Sequence, residues 1–171
     1  MSNFMLKNYN YHVWANHRVF ARLAELPEET VHQELKDVFP SIHAGLVHMY
    51  RVDWVWLSGL KGSSFEEIRS QTVKIVEKMA GMTLKELEAA FIELAEDCQN
   101  FLSGVEDVQG TIRFPHPILG VLATNINEVI QHIVNHGTYH RGNISSMLRQ
   151  LGHAGASSDY VFYLYEVNQV K

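Results

Sequence analysis

Ten histidines occur among the 171 residues, and three of them, His132, His136 and His140, are spaced four residues apart. In an α-helix each such step turns the side chain by about 40°, so the three imidazoles project within an arc of about 80°. Imidazole is the side chain of metal sites and of proton transfer near neutral pH. Chance gives about 0.6 histidine pairs at this spacing in such a chain, so the two consecutive pairs carry more weight than one pair would.

The apolar face of the same segment distinguishes these histidines. It is formed by Val129, Ile133, Ile144 and Met147. His136 and His140 lie on this face, whereas His132 lies toward its edge. We therefore expect His136 and His140 to be the ligand pair. His132 keeps three interpretations: a hydrogen-bonding partner of a ligand, an alternative ligand, or a half-buried polar residue.

A third ligand is expected from another helix, and His48 is the candidate. It lies in the middle of the most apolar segment, where an imidazole without a partner would be costly to bury. A hydrogen-bonded core histidine is the alternative interpretation of His48 alone. Together, His48, His136 and His140 predict a divalent metal site with at least one open position. Imidazole also suits copper and iron, but we expect zinc or nickel.

The surroundings of the three candidate ligands bear on the reaction. Metal hydrolases commonly use a carboxylate base, but no Asp or Glu lies one turn from any candidate ligand. This absence disfavours attack by a base-activated water and leaves room for a metal that activates a bound thiol or water. Cys98 lies alone on an apolar face and is predicted to be a core residue rather than a nucleophile.

The remaining histidines and the large aromatic residues are assigned no role in the site. We expect surface or capping positions for His12, His17, His32, His43, His116 and His153. Packing is the expected role of Trp54, Trp56, Tyr139, Tyr163 and Tyr165.

Four segments with helical periodicity must position the candidate ligands. They span residues 4–26, 42–60, 83–101 and about 121–151. Pro27 follows the first and Gly152 ends the last, while Ser41 caps the second. Thr83 and Glu86 form a capping box at the start of the third.

The segments between these helices have weaker signals. Residues 63–82 fit either a short helix or an extended crossover, and residues 105–117 fit a loop or a strand fragment. Residues 158–167 suit a last short helix. The predicted fold is an all-α four-helix bundle with a short C-terminal helix, formed by a single domain over 1–171.

Composition limits the class of protein. Fourteen Lys and Arg against nineteen Asp and Glu give a net charge of −5, which opposes a nucleic-acid partner. One cysteine excludes an internal disulfide, and no leader or apolar run of membrane-spanning length is present. We therefore expect a cytoplasmic protein with no membrane partner. The open position of the predicted metal site indicates a small-molecule substrate.

A series of different short motifs is distributed along nearly the whole chain. They are Tyr9-Asn10, Trp14-Ala15-Asn16, Leu26-Pro27, Phe39-Pro40-Ser41-Ile42-His43, Leu46, His48, Asp53, Trp56-Leu57, His132, Asn135-His136, Tyr139-His140-Arg141-Gly142-Asn143, Leu148, Leu151-Gly152 and Asp159-Tyr160. These motifs resemble the DinB/YfiT-like family of damage-inducible bacterial proteins. The block around His136 and His140 is the most specific part of the resemblance.

The resemblance implies a four-helix bundle, often dimeric, with a divalent metal held by one histidine of the second helix and two of the last. The matching positions are His48, His136 and His140. The family usually has His-Arg-Gly-Gln where this chain ends the motif with Asn143, a shorter amide that shifts a hydrogen bond without removing a ligand.

The resemblance also implies an activity. Characterised relatives include metal-dependent transferases and isomerases that use low-molecular-weight thiols such as bacillithiol or mycothiol. We therefore expect a thiol S-transferase acting on small electrophiles. The alternatives are a hydrolase that uses metal-bound water and a non-catalytic, stress-induced module that binds metal or a small ligand.

Overall fold

The computed structural model describes residues 2–169 of the chain. Seven helices and one two-stranded sheet occur in this range: α1 Ser2–Leu23, α2 Glu28–His32, α3 Ile42–Leu60, α4 Phe65–Met79, α5 Leu84–Ser103, β1 Ile112–His116, β2 Gly120–Thr124, α6 Ile126–Gln150 and α7 Tyr160–Val167. The long helices α1, α3, α5 and α6 correspond to the four predicted segments. The all-α fold is therefore confirmed.

The four long helices form the bundle. Both α1 and α3 pack against α5 and against α6, so α1 lies diagonally opposite α3, and α5 opposite α6. The shorter elements lie outside this bundle: α4 packs on α3 and contacts β1, and α7 packs on α1. The contact between α3 and α6 brings the segment of His48 against the segment of His136 and His140. None of the described helices combines the length and apolar character that spanning a membrane requires.

The predicted caps fix the helix ends. Ser41 accepts a hydrogen bond from the Ala44 amide at the start of α3, and Thr83 forms the predicted capping box with Glu86. At the end of α6, Gly152 has a φ of 82°, and the amide of the next residue bonds back to the carbonyl of Leu148 at 2.8 Å. This is a Schellman motif, for which glycine is the favoured residue.

The structure corrects one helix boundary and assigns the weak segments. The last long helix begins at Ile126, not near residue 121, because Asn125 caps it and residues 120–124 form a strand. That strand pairs antiparallel with β1 in a hairpin. Residues 65–79 form a full helix with a second capping box, made by Ser64 and Glu67. The tail forms α7, as predicted.

Two buried apolar clusters fill the interior. One is centred on α1, α5 and the first half of α6, and the other on the opposite ends of the same helices. Three polar residues, Asn16, Asp53 and Arg141, come between the two clusters along their helices and are buried. The interior therefore has a polar layer near the middle of the bundle, at the level of His48, His136 and His140.

Candidate metal centre

Three imidazole rings meet where α3 faces α6. The Nε2 atom of His136 lies 3.2 Å from Nε2 of His48 and 3.0 Å from Nε2 of His140. One nitrogen from each ring lies within 4.8 Å of the others, and no carboxylate belongs to this group in the part of the chain that the structure describes. The structure thus brings together the three histidines that the face argument selected.

The donor set fits a divalent ion of borderline softness. Burial lowers the pKa of His48 and of His136 to about 4, and the neighbouring His140 adds to both shifts. Burial also lowers the pKa of His140. All three rings are therefore neutral near pH 7, which is the form that binds zinc, nickel, copper or iron.

The second nitrogen of each ring has a different environment. His140 Nδ1 lies 3.2 Å from Asn143 Oδ1, which accepts its proton when Nε2 is the ligating atom. Within the described chain, His136 Nδ1 is buried without a hydrogen-bond partner. Arg51 donates to His48 Nδ1 at 3.1 Å, which requires the proton of that ring to lie on Nε2. Ligation through Nε2 of His48 therefore requires this contact with Arg51 to open.

An aromatic ring closes one side of the cluster. The ring of Phe39 lies 5.1 Å, between centroids, from both His48 and His140. Phe39 in turn lies over α3, because a Cβ atom at Gly45 would be 3.1 Å from its ring. This packing limits access of water and lowers the local polarity, consistent with the lowered pKa values.

His132 does not join the three rings. It is exposed, and its ring lies 4.9 Å from Trp56 and 5.8 Å from His136. The half-buried interpretation of His132 is therefore wrong. Its contact with Trp56 places it at the rim of the cluster.

Two of the histidines predicted to be surface or capping residues are buried instead. His43 donates from Nε2 to the carbonyl of Met82 at 3.0 Å, and His12 is 1% exposed. The prediction is wrong for both because each finds its partner on another element, which the spacing along its own helix does not reveal. His17 and His32 are exposed, as expected, and His116 accepts two backbone N–H groups of the hairpin turn.

His12 belongs to a buried network that joins three helices. Its Nε2 donates to Asp53 Oδ2 at 2.8 Å, and Arg141 donates to Asn16 Oδ1 at 2.9 Å and faces His12 Nδ1 at 3.4 Å. The negative charge of Asp53 favours the charged form of Arg141 through space, although no ion pair joins the two among the described residues. The second carboxylate oxygen of Asp53, Oδ1, is buried without a hydrogen-bond partner in the described chain. The sequence signal for this network is Asp53, an acidic residue inside the most apolar helix, and the periodicity of that helix does not reveal its partners.

Cys98 is buried in the apolar core. Burial raises the pKa of its thiol to about 12, although a hydrogen bond with Tyr9 acts in the opposite direction. The thiol is therefore protonated at neutral pH and is not a nucleophile, as predicted.

The fold and the histidine cluster define a helical-bundle protein with a candidate three-histidine metal centre. The chain belongs to the DinB family, whose pattern it matches over residues 1–169. It is similar to Protein DinB of Bacillus subtilis (strain 168), with 41% identity over 165 residues that cover 96% of each chain. The family resemblance carried by the sequence motifs is confirmed.

Proposed function

We propose that this protein binds one divalent metal ion through Nε2 of His48, His136 and His140. The observation that supports the proposal is the convergence of three neutral imidazoles, with two Nε2 separations of 3.0 and 3.2 Å. Ligand nitrogens about 2.0–2.1 Å from a zinc ion lie a little farther apart than this, so small side-chain adjustments suffice. Zinc or nickel remains the ion that we propose.

We further propose that the metal-loaded protein transfers a low-molecular-weight thiol, such as bacillithiol, to a small electrophile. A divalent ion in this site would supply positive charge that favours the deprotonated form of a thiol beside it. Arg51, released from its contact with His48 when that ring ligates, adds a second positive charge for an anionic thiol. Phe39 shields the same region from water, and Asn143 orients His140.

The absence of a carboxylate from the described cluster favours this proposal over a hydrolase, because none of the clustered side chains could act as the base for a metal-bound water. Deprotonation of a thiol does not need such a base, since a nearby cation is sufficient to lower the thiol pKa.

Metal content tests the site. The protein is purified without a metal-affinity tag, and its metals are measured by inductively coupled plasma mass spectrometry. We expect about one ion per chain in the unaltered protein and in His132→Ala, and strong loss in His48→Ala, His136→Ala and His140→Ala. His132→Ala is a matched control because His132 lies on the same helix as two ligands. Equal retention by all four variants would contradict the site.

Turnover distinguishes the proposed reaction from its alternatives. The loaded protein is incubated with a chromogenic electrophile, with and without bacillithiol, and product is followed by absorbance. Thiol-dependent turnover that disappears in His136→Ala supports the transferase. Turnover without thiol favours the hydrolase, and metal binding without either activity favours a non-catalytic binding module.

We also propose that the protein is cytoplasmic, as its composition predicts, and that it is a homodimer, as the family resemblance implies. The outer face of α7 supports a protein contact, since Phe162 and Tyr165 are 44% and 71% exposed there. Sedimentation equilibrium should give twice the 19.6 kDa mass of the chain. A single species at the mass of one chain would contradict the dimer.

A further inference from the structure

A cavity of about 680 Å³ lies outside the bundle, between the end of α3, the start of α4 and the β-hairpin. None of the three clustered histidines lines it. Its volume is in the range of pockets that bind small organic molecules. The lining is mostly apolar, and α3 is the bundle helix that contributes to it, while the rest of the wall comes from α4, the residues before it and the hairpin.

Four aromatic rings line this cavity in two pairs. Trp56 and Phe114 meet edge to face with centroids 5.5 Å apart, and Phe65 and His116 do so at 5.1 Å. Phe114 and His116 are two residues apart on β1, so strand alternation places both on one face. Gly59 allows Phe114 to approach α3, because a Cβ atom there would be 2.8 Å from its ring.

The charge of the lining is one-sided. Arg113 is one of the lining residues, and no Asp or Glu occurs among those described. It is exposed and alternates with Phe114 and His116 along β1, so its guanidinium pairs with a ligand in the cavity by turning round the edge of the strand. Arg113 also has no ion-pair partner within residues 2–169. The Nδ1 atom of His116 accepts the amides of Ile118 and Leu119, which leaves Nε2 of that ring as a donor. Cationic and donor groups without an acid are complementary to an anion.

We propose that this cavity binds a small amphiphilic organic anion with a planar aromatic body. The aromatic body packs against the rings of Trp56, Phe65 and Phe114, and a carboxylate or sulfonate pairs with Arg113. Aromatic walls favour a flat apolar body, because offset and edge contacts between rings add to the energy of burial. The inference goes beyond the proposed metal-dependent activity and does not require a metal ion. Trp56 contacts both Phe114 and His132, so the cavity adjoins the rim of the metal centre.

The test uses 2-naphthoate as the probe and the uncharged 2-naphthamide as its isostere. Binding to the full chain, treated with a chelator, is measured by isothermal titration calorimetry. We expect 2-naphthoate to bind in a one-to-one ratio and Arg113→Gln to weaken it about tenfold, with little effect on 2-naphthamide. Arg69→Gln is the matched control, because Arg69 is 71% exposed on α4 and pairs only weakly with Glu66.

Two further variants locate the bound probe. Phe114→Leu should weaken both compounds, since it removes one aromatic wall. A bound probe should quench the fluorescence of Trp56, which lines the cavity, whereas Trp14 and Trp54 do not line it. Trp56→Phe should therefore retain binding, as measured by calorimetry, and lose most of the fluorescence quenching. Circular dichroism confirms that each variant folds.

Absence of 2-naphthoate binding would overturn the proposal. Equal affinity in Arg113→Gln and Arg69→Gln would overturn the ion pair, and unaltered affinity in Phe114→Leu would place the probe elsewhere. The exposed hairpin residues Ile118 and Leu119 make a second copy of the chain the competing occupant. A protein that is dimeric by light scattering and binds the probe only after dissociation would also overturn the proposal.

Discussion

The amide of Asn143 is one turn from His140, and its oxygen faces Nδ1 of that ring. Such partners fix the orientation of a ligating imidazole and are typically worth 10- to 100-fold in metal affinity. The chain has this shorter amide where the family usually has Gln, and the structure shows that the shorter side chain still reaches the ring.

We expect Asn143→Ala to lower zinc affinity by about tenfold, because His140 then loses the acceptor that orients it. Competition with a chromogenic chelator measures the affinity. Asn135→Ala is the control, since Asn135 is exposed on the same helix and, within the described chain, its side chain accepts a hydrogen bond from Gln131 and from no other side chain. An equal change in the two variants would contradict the assigned role of Asn143.

The Cys98 thiol gives a second prediction at this scale. Burial raises its pKa to about 12, so the native protein should not react with Ellman's reagent at pH 8 on the time scale of minutes. Reaction should appear when denaturant unfolds the chain. A fast reaction of the native protein with one equivalent of reagent would contradict the burial of this thiol.

Single residues also show how far the sequence is informative. His136 and His140 are predictable because both lie on one helix face, and His48 is predictable because it lies in an apolar helix that offers it no partner. The burial of His12 is not predictable, because its partners Asp53 and Arg141 come from two other helices. Periodicity within a segment carries no information about which segments meet.

Helix α6 contains two glycines, one in a crowded position and one in an open position. A Cβ atom at Gly137 would lie 2.4 Å from the ring of His12 and 2.8 Å from Nη1 of Arg141, whereas one at Gly142 would meet no described atom within 4 Å. Gly137 therefore permits the close approach of α1 to α6 that the buried network needs.

We expect Gly137→Ala to lower the free energy of unfolding by about 1–3 kcal/mol, because the added methyl group displaces buried polar side chains. Gly142→Ala on the same helix should raise it by up to about 1 kcal/mol, because alanine has the higher helix propensity. Urea denaturation measures both. Destabilisation of the same size in the two variants would indicate that helix geometry, not the contact with His12, determines the effect.

The hairpin shows why one boundary was mispredicted. Val121 and Leu122 extend the apolar pattern of α6 toward its N-terminus, and short apolar runs do not distinguish a helix from a strand. Asn125 was the available signal, because its side chain caps the helix at Glu128. A capping box involves two residues that are three positions apart in the sequence. The box of Thr83 and Glu86 at the start of α5 is therefore predictable from the sequence alone.

At the scale of the whole molecule, the histidine cluster makes stability depend on pH. His48 and His136 have pKa values of about 4 in the folded chain against 6.5 in a model peptide. Between these pH values the unfolded state binds more protons than the folded state. The free energy of unfolding is therefore not reduced by these histidines above pH 6.5, and it decreases as the pH falls toward 4.

We expect the thermal midpoint of chelator-treated protein to fall between pH 7 and pH 5, as followed by circular dichroism. The decrease should be smaller in His136→Gln, which removes one of the titrating rings. Excess zinc should raise the midpoint of the unaltered protein most at pH 7, because protons compete with the ion at lower pH. Parallel profiles for the two proteins without metal would contradict the linkage.

The polar layer between the apolar clusters separates the effects that substitutions in the two clusters have on stability. Among the described residues the two clusters share no buried residue, and the half-buried Tyr50 packs against both of them. The packing at one end of the bundle is therefore largely independent of the packing at the other. The destabilisation by Ile133→Val at one end and by Leu87→Ala at the other should be additive within about 0.5 kcal/mol in a double-mutant cycle. Sequence drift at one end of the bundle is then tolerated independently of drift at the other, while the histidines between them keep their positions.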